Sequence, residues 1–256
     1  MDTRNLIFLF LNFALLYSLV QCIYDTEAVS ENVGIYGGHE IRITEAPYMA
    51  SLRLDGKEHF CGASIIHEKF ILTAAHCIAP QRHYTVSVGT DDVNGGKIYE
   101  IEKMIVHENY DRTTQDYDVC VIKLKGALEF GDSVNKIELA GRSPVSGRMV
   151  EVTGWGKTPY GPLSDQLMQV SIPILPSRVC RQTYLRFKHV ITPRMFCAGD
   201  VGMDSCEADS GGPLTFKNKQ IGIVSFGLSV CGVKPGVYTK IKPLKSWILN
   251  TIETNL

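Results

Sequence analysis

Residues 60–77 read FCGASIIHEKFILTAAHC. Two short runs of apolar and β-branched residues, CGASII and KFILTAA, stand close together, and their content and spacing are those of β-strands. The pattern recurs outward from this stretch. TVSVG (85–89), KIYEIEKMIVH (97–107), VCVIKL (119–124), MVEVTGW (149–155), LMQVSIPIL (167–175), QIGIVSF (220–226) and GVYTKI (236–241) are short runs broken by Gly, Pro, Asn and Asp. They predict an all-β sandwich or barrel. Helical periodicity is clear only at the C-terminus, where Leu244, Trp247, Ile248 and Ile252 share one face after Pro243. The small-residue segment LAGRSPVSG (139–147) is the best internal linker and divides the chain into two similar β halves, with a cleft expected between them.

The chain has 256 residues, 45% hydrophobic and 21% charged, enough for a sizeable core. Its net charge of -1 offers no reason to expect nucleic acid or an anionic membrane as partner. Arg4 is followed by an apolar run, Leu6–Val20 (LIFLFLNFALLYSLV), which is short for a membrane span and fits a signal peptide cleaved near Cys22. A signal anchor is the alternative. Residues 1–22 are thus expected to be a signal, and the remainder to be secreted into an oxidising compartment. Of the eight cysteines, Cys22 leaves with the signal, so at least one of the rest is unpaired in a monomer. Cys120, inside the apolar run VCVIKL, is the best candidate, as a buried and unreactive thiol.

Three segments carry chemistry: LTAAHC ending at His76–Cys77, DYDVCVIKL with Asp118 ahead of a strand, and DSCEADSGGPL with Ser210 in a glycine-flanked turn. A serine hydroxyl is a weak nucleophile. It needs a neighbouring base, and that base needs a third group to fix its tautomer. His, Asp and Ser are those types. Each alone reads as readily as a structural residue, a turn or a loop, and only folding can bring them together.

With IYGG (35–38), FCGASII (60–66), TAAHC (73–77), DYDVCVIKL (116–124), TGWGKT (153–158), CEADSGGPL (206–214), IVSFG (223–227) and KPGVYTKI (234–241), the sequence resembles the chymotrypsin/trypsin family of serine proteases from about Ile35 to the C-terminus. The resemblance implies two six-stranded antiparallel β-barrels and a C-terminal helix, a protease domain over 35–256 and a short propeptide over 23–34. It implies a triad of His76, Asp118 and Ser210, and an oxyanion hole from the Ala208 and Ser210 amides. Asp204 would sit at the floor of the specificity pocket between small walls at Gly227 and Gly236, favouring Arg or Lys. Ser225 would buttress the triad and begin an edge for substrate. Cleavage before Ile35 would free an ammonium to pair with Asp209. Disulfides would join Cys61–Cys77, Cys180–Cys197 and Cys206–Cys231, leaving Cys120 free. Protein or peptide substrates, susceptibility to protein inhibitors, a monomeric state and no cofactor follow from the same resemblance.

The sequence departs from that pattern in several places. Gly34, not a basic residue, precedes Ile35, and no Lys or Arg occurs from Asn5 through Ile41. Ala208 stands where the family has glycine. If the position needs positive φ, the amide is expected to be poorly aimed, and Ala208→Gly should raise kcat about tenfold. The loop after Gly89 is short, with Thr90 where an acidic ligand would stand, so no metal site is expected. Glu207 at the pocket rim adds negative charge that would disfavour acidic substrate neighbours. These departures keep open a second reading, a catalytically weak or inactive homologue that acts as a binding protein.

Overall fold

The computed structural model describes residues 35, 37–143, 145–157, 161–228 and 231–256. The signal and propeptide expected over 1–22 and 23–34 lie outside them. The opening stretch forms the heart of the first half. The described chain begins with the two-residue β1 (His39–Glu40), followed by β2 (Met49–Leu54), β3 (Glu58–His67), β4 (Phe70–Thr73), β5 (Tyr84–Val88), β6 (Lys97–Val106) and β7 (Cys120–Leu124). FCGASII lies in β3, and FILT is β4, paired antiparallel with Ser64 opposite Leu72. Strands β2-β3-β4-β7-β6-β5 close into a barrel, with β5 returning to β2. Closure leaves no free edge.

The second half supplies β8 (Glu138–Leu139), β9 (Met149–Gly154), β10 (Met168–Pro173), β11 (Met195–Ala198), β12 (Pro213–Phe216), β13 (Lys219–Phe226) and β14 (Gly236–Lys240). Their order is β1-β10-β9-β12-β13-β14-β11, with β8 parallel beside β13. Six longer antiparallel strands thus form the body, and β1 and β8 are two-residue additions. The sheet curls back on itself where Ile174, just after β10, bridges Ala198 at the end of β11. The Leu175 N–H bond to the Cys197 carbonyl, 2.9 Å, extends this closure. Both halves are therefore barrel-like, as the resemblance implies.

The C-terminal helix Ile241–Glu253 begins two residues before Pro243, which sits in its first turn, where a missing N–H costs nothing. It buries Ile241, Leu244, Ile248 and Ile252 in the same cluster as Phe70, Leu72 and Ile122 of the first barrel. The last element of the second half thereby clamps the first. Each such side chain contributes about 1.5–3 kcal/mol by leaving water. Leu139 belongs to this cluster and Ala140 to the second core, where Ala140 donates its N–H to the Gln220 carbonyl. A nine-residue helix, Ser177–Leu185, has no counterpart in the sequence reading. Only Cys180 and Tyr184 are buried on it, too sparse a stripe to stand out, and the Cys180–Cys197 disulfide ties it to β11.

Candidate active site

His76 lies on the short 3-10 turn Ala75–Cys77, one residue after β4, pinned by the Cys61–Cys77 disulfide. Its backbone N–H reaches Asp118 Oδ1 at 2.9 Å and its Nδ1 reaches Asp118 Oδ2 at 2.8 Å. Asp118, fully buried just before β7, also accepts the Ser225 hydroxyl at 2.5 Å. A carboxylate bonded this way fixes the proton on Nδ1 and leaves the Nε2 lone pair free to act as a base. Ser210 occupies the turn before β12. That turn is held against β13 by Gly211 N–H to the Val224 carbonyl, 2.8 Å, and by Val224 N–H to the Gly212 carbonyl, 2.9 Å. Gly211 has φ +80°, and a Cβ there would lie 2.1 Å from Thr73 Oγ1, so only glycine fits. Cys77 Sγ is 3.9 Å from His76 Nε2 and 3.7 Å from the Ser210 carbonyl, so both residues lie beside the Cys61–Cys77 disulfide. No hydrogen bond joins Ser210 Oγ to Nε2 here, a looseness common in free enzymes.

Ala208 has φ +72°, in the region that favours glycine. The peptide planes on both sides of it are anchored. The Glu207 carbonyl accepts the Lys157 N–H at 2.9 Å, and the Ala208 carbonyl accepts His59 Nε2 at 3.1 Å. His59 Nδ1 is in turn bonded to the Ser51 hydroxyl at 2.7 Å, and burial lowers the His59 pKa to about 4, so the ring is neutral. Among the described residues the Ala208 and Ser210 amides donate to no protein acceptor, leaving both available to an oxyanion. Asp209, next in sequence, is fully buried. Its oxygens accept the Gly156 and Cys206 N–H groups at 2.8 Å each, and burial raises its pKa to about 7. No cation pairs with it among the described residues.

Beside Ser210 opens a cavity of about 270 Å³ lined by Asp204, Val224, Gly227, Gly236 and the Cys206–Cys231 disulfide. A Cβ on Gly227 would meet nothing within 4 Å, and one on Gly236 would stop 2.9 Å from Asp204 Oδ1, so bulk at either wall would enter the cavity. Asp204 is buried at the floor. Its Oδ2 has a long 3.5 Å contact from the Gly232 N–H, and its Oδ1 has no partner. Burial raises its pKa to about 7. At the rim, Glu207 is ion-paired with Lys157. Its expected repulsion of acidic substrate neighbours is therefore largely offset.

A family profile described as Trypsin matches residues 35–248. Trypsin 5G1 of Aedes aegypti is 36% identical over 222 residues, covering 84% of this chain and 83% of that protein. The vitellin-degrading protease of Bombyx mori is 37% identical over 235 residues, covering 88% of each. The structure of neuropsin, a serine protease expressed in the limbic system of mouse brain, matches with TM-score 0.78 at 31% identity, covering 84% of this chain and 99% of its own. The chain belongs to the trypsin family of serine proteases. The family activity makes it a serine hydrolase acting on protein substrates.

The three disulfides of this trypsin-family chain pair as expected, and Cys120 is free and buried, with its pKa raised to about 12 by desolvation. Cys61, His76 and Cys77 cluster at metal-ligand distances, but the cysteines share one disulfide and have no thiolate to offer. The sequence reading missed two residues. His59 had a legible signal: alternation in β3 turns Phe60 outward and His59 inward with Cys61 and Ala63. Arg53 had none. It is buried, and its guanidinium donates to the carbonyls of Val93, Asn94 and Gly95, the last at 2.8 Å. A fixed side-chain cation thus holds the short loop after Gly89. Hydrogen bonds to charged groups contribute about 1.5–3 kcal/mol each, offset in part by the desolvation of the buried guanidinium, so Arg53→Met should lower stability by about 2–3 kcal/mol. Urea unfolding measures this, and hydrogen exchange should show faster opening confined to residues 90–96. Unchanged stability would assign the loop to other contacts.

Proposed function

We propose that the mature chain is a secreted endopeptidase that hydrolyses peptide bonds after Arg or Lys through an acyl-enzyme on Ser210. The observation that carries this reading is the Ser225–Asp118–His76 hydrogen-bond chain at the mouth of a cavity whose floor is an unpartnered buried carboxylate. The cationic end of an Arg or Lys side chain supplies what Asp204 lacks. Ser210 Oγ attacks the carbonyl carbon while His76 Nε2 takes its proton. Asp118 stabilises the imidazolium, and the Ala208 and Ser210 amides receive the oxyanion. His76 then protonates the leaving amine, and water repeats the sequence in reverse roles to release the acid. The free edge at Ser225–Gly227 aligns the substrate backbone. Cleavage of Gly34–Ile35 supplies the ammonium for Asp209. Protein inhibitors would occupy the same cleft of a monomeric enzyme.

A second reading, a weak or inactive homologue that binds without turnover, draws on the positive φ of Ala208. Labelling decides between the two. The purified chain, cut at Gly34–Ile35, should react with an arginine-like phosphonate serine probe and cleave a positional peptide library after Arg and Lys. No labelling despite a free Ile35 terminus selects the binding reading. Labelling with preference for Phe or Tyr rejects the assigned specificity.

The anchored peptide planes revise the expectation for Ala208→Gly. Because His59 and Lys157 hold the loop, the alanine strain of about 1 kcal/mol falls on stability rather than on the aim of the amide. The variant should melt about 2–4 °C higher, with kcat on small ester substrates raised by less than about tenfold. A tenfold or larger gain in kcat at unchanged melting temperature would restore the misaimed-donor account.

A further inference from the structure

The helix Ser177–Leu185 and the turn after it present a surface that the catalytic reading does not use. The helix is fixed from beneath by its disulfide and by Tyr184, fully buried, whose hydroxyl bonds the Pro235 carbonyl at 2.6 Å. With Cys180 and Tyr184 facing inward, the helical repeat turns Arg178, Val179, Arg181 and Leu185 outward. The following turn is rigid. Phe187 and His189 both donate N–H groups to the Tyr184 carbonyl, and Lys188 adopts φ +61°. This rigid platform exposes Leu185 (69%), Val190 (62%), Phe187 (48%) and Val179 (43%). Val179, Arg186, Phe187 and Lys234 rim one shallow depression, which places the turn and the 232–235 loop on one face.

The charge along this segment has a single sign. No Asp or Glu occurs between Asp165 and Asp200. Arg178, Arg181, Arg186, Lys188 and Lys234 are exposed, and none has an ion-pair partner among the described residues. Arg194, the remaining cation of the stretch, is committed to Asp116. At the edge of the face the Lys240 pKa is lowered by burial and then by repulsion from Arg181 and Lys242, consistent with positive charge left unneutralised there. The chain's net charge of -1 conceals this concentration, and the sequence expectation of no affinity for an anionic membrane follows from that average alone.

We propose that this face docks the protein on anionic phospholipid surfaces. Both halves of the chemistry are needed for the choice. A cationic rim finds complementary charge on phosphatidylserine-type headgroups, while exposed Leu185, Phe187 and Val190 enter the boundary between headgroups and acyl chains. A sulfated polysaccharide would use the cations but gain nothing from the apolar side chains. The His189 ring lies 5.7 Å from that of Phe226, which lines the Asp204 cavity, so a docked molecule holds its cleft beside the bilayer. Docking itself does not depend on the proposed activity, and the test uses the Ser210→Ala chain.

The experiment is co-sedimentation of that chain with vesicles of phosphatidylserine and phosphatidylcholine in equal parts, and with phosphatidylcholine alone, alongside retention on heparin resin. Binding to the mixed vesicles only, weakened by added salt, is expected. One cation near such a surface contributes about fivefold to partitioning, so Arg181→Glu with Arg186→Glu should lower it at least tenfold. Leu185→Ser with Phe187→Ser should lower it by a similar factor at unchanged melting temperature. The proposal is overturned if the mixed vesicles sediment no protein, if the Leu185/Phe187 pair leaves partitioning intact, or if heparin alone retains the chain.

Discussion

Asp204→Ser will lower kcat/KM toward Arg and Lys substrates by on the order of 10³-fold or more, which corresponds to about 4 kcal/mol of transition-state binding. The argument starts from the buried floor of the cavity, where Asp204 Oδ1 has no partner and Oδ2 has only one long contact. Such a carboxylate is costly until a substrate cation arrives, and the enclosure that makes it costly also strengthens that cation's attraction. The serine variant offers a hydroxyl, which can be satisfied without a charge, so the loss falls on basic substrates and not on Phe or Tyr substrates. Kinetics on ester or anilide series differing only in the residue before the cleaved bond measure this. A pH signature accompanies it. With the pKa of Asp204 raised to about 7 by burial, the carboxyl of the free enzyme is protonated below that value and cannot attract a cation. KM for Arg substrates should therefore fall as pH rises through about 7, and this dependence should vanish in the variant. Equal losses on Arg and Phe substrates would mean that Asp204 supports the pocket walls rather than recognising charge.

How much of this was legible in the sequence differs by kind of feature. The strands were, because their apolar runs are short and closely spaced, as in FCGASII and FILT. The C-terminal helix was, because Leu244, Ile248 and Ile252 repeat at helical spacing. The helix Ser177–Leu185 was not, since a disulfide rather than a broad apolar stripe holds it down. The residues of the candidate triad were individually weak, and only the motifs around them singled them out. What no motif carried were long-range polar contacts: Arg53 reaching a loop forty residues away, or His59 bonding the Ala208 carbonyl across the two halves. Local pattern records which face a side chain takes, and distant partners are set only when the barrels close. Ala208 shows the same limit. Its identity raised a doubt about activity, but the anchors that decide the consequence sit at His59 and Lys157.

Asp209 yields the second large effect, a fall of stability with pH that becomes shallower on cleavage of Gly34–Ile35. The carboxyl is fully buried and has two amide donors but no cation among the described residues, and its pKa is raised to about 7. An unfolded Asp titrates near its reference value of about 3.9. Between these values the folded chain keeps a proton that the unfolded chain has released, so stability of the uncut chain falls as pH rises through that window and levels off above about 7. Asp204, raised in the same direction chiefly by its own burial and only slightly by the Asp209 charge, contributes a nearly parallel fall in cut and uncut chains. The difference between the two forms therefore reports mainly on Asp209. A freed Ile35 ammonium would pair with the carboxylate, lower its pKa and remove its share of the fall. The cut form can be prepared in a Ser210→Ala background by placing the recognition sequence of an unrelated protease before Ile35, since Gly34 does not suit Arg/Lys specificity. Melting temperatures from pH 4 to 8 should then decline more steeply for the uncut chain. Breaking a buried ion pair costs about 3–5 kcal/mol. With Ser210 intact, Asp209→Asn should accordingly lower kcat/KM of the cut enzyme by roughly 10²–10³-fold or more. The same substitution should flatten the excess decline of the uncut chain. If the cut and uncut chains show equal slopes although Ile35 is the verified N-terminus, the ammonium does not reach Asp209, and the proposed route of activation fails.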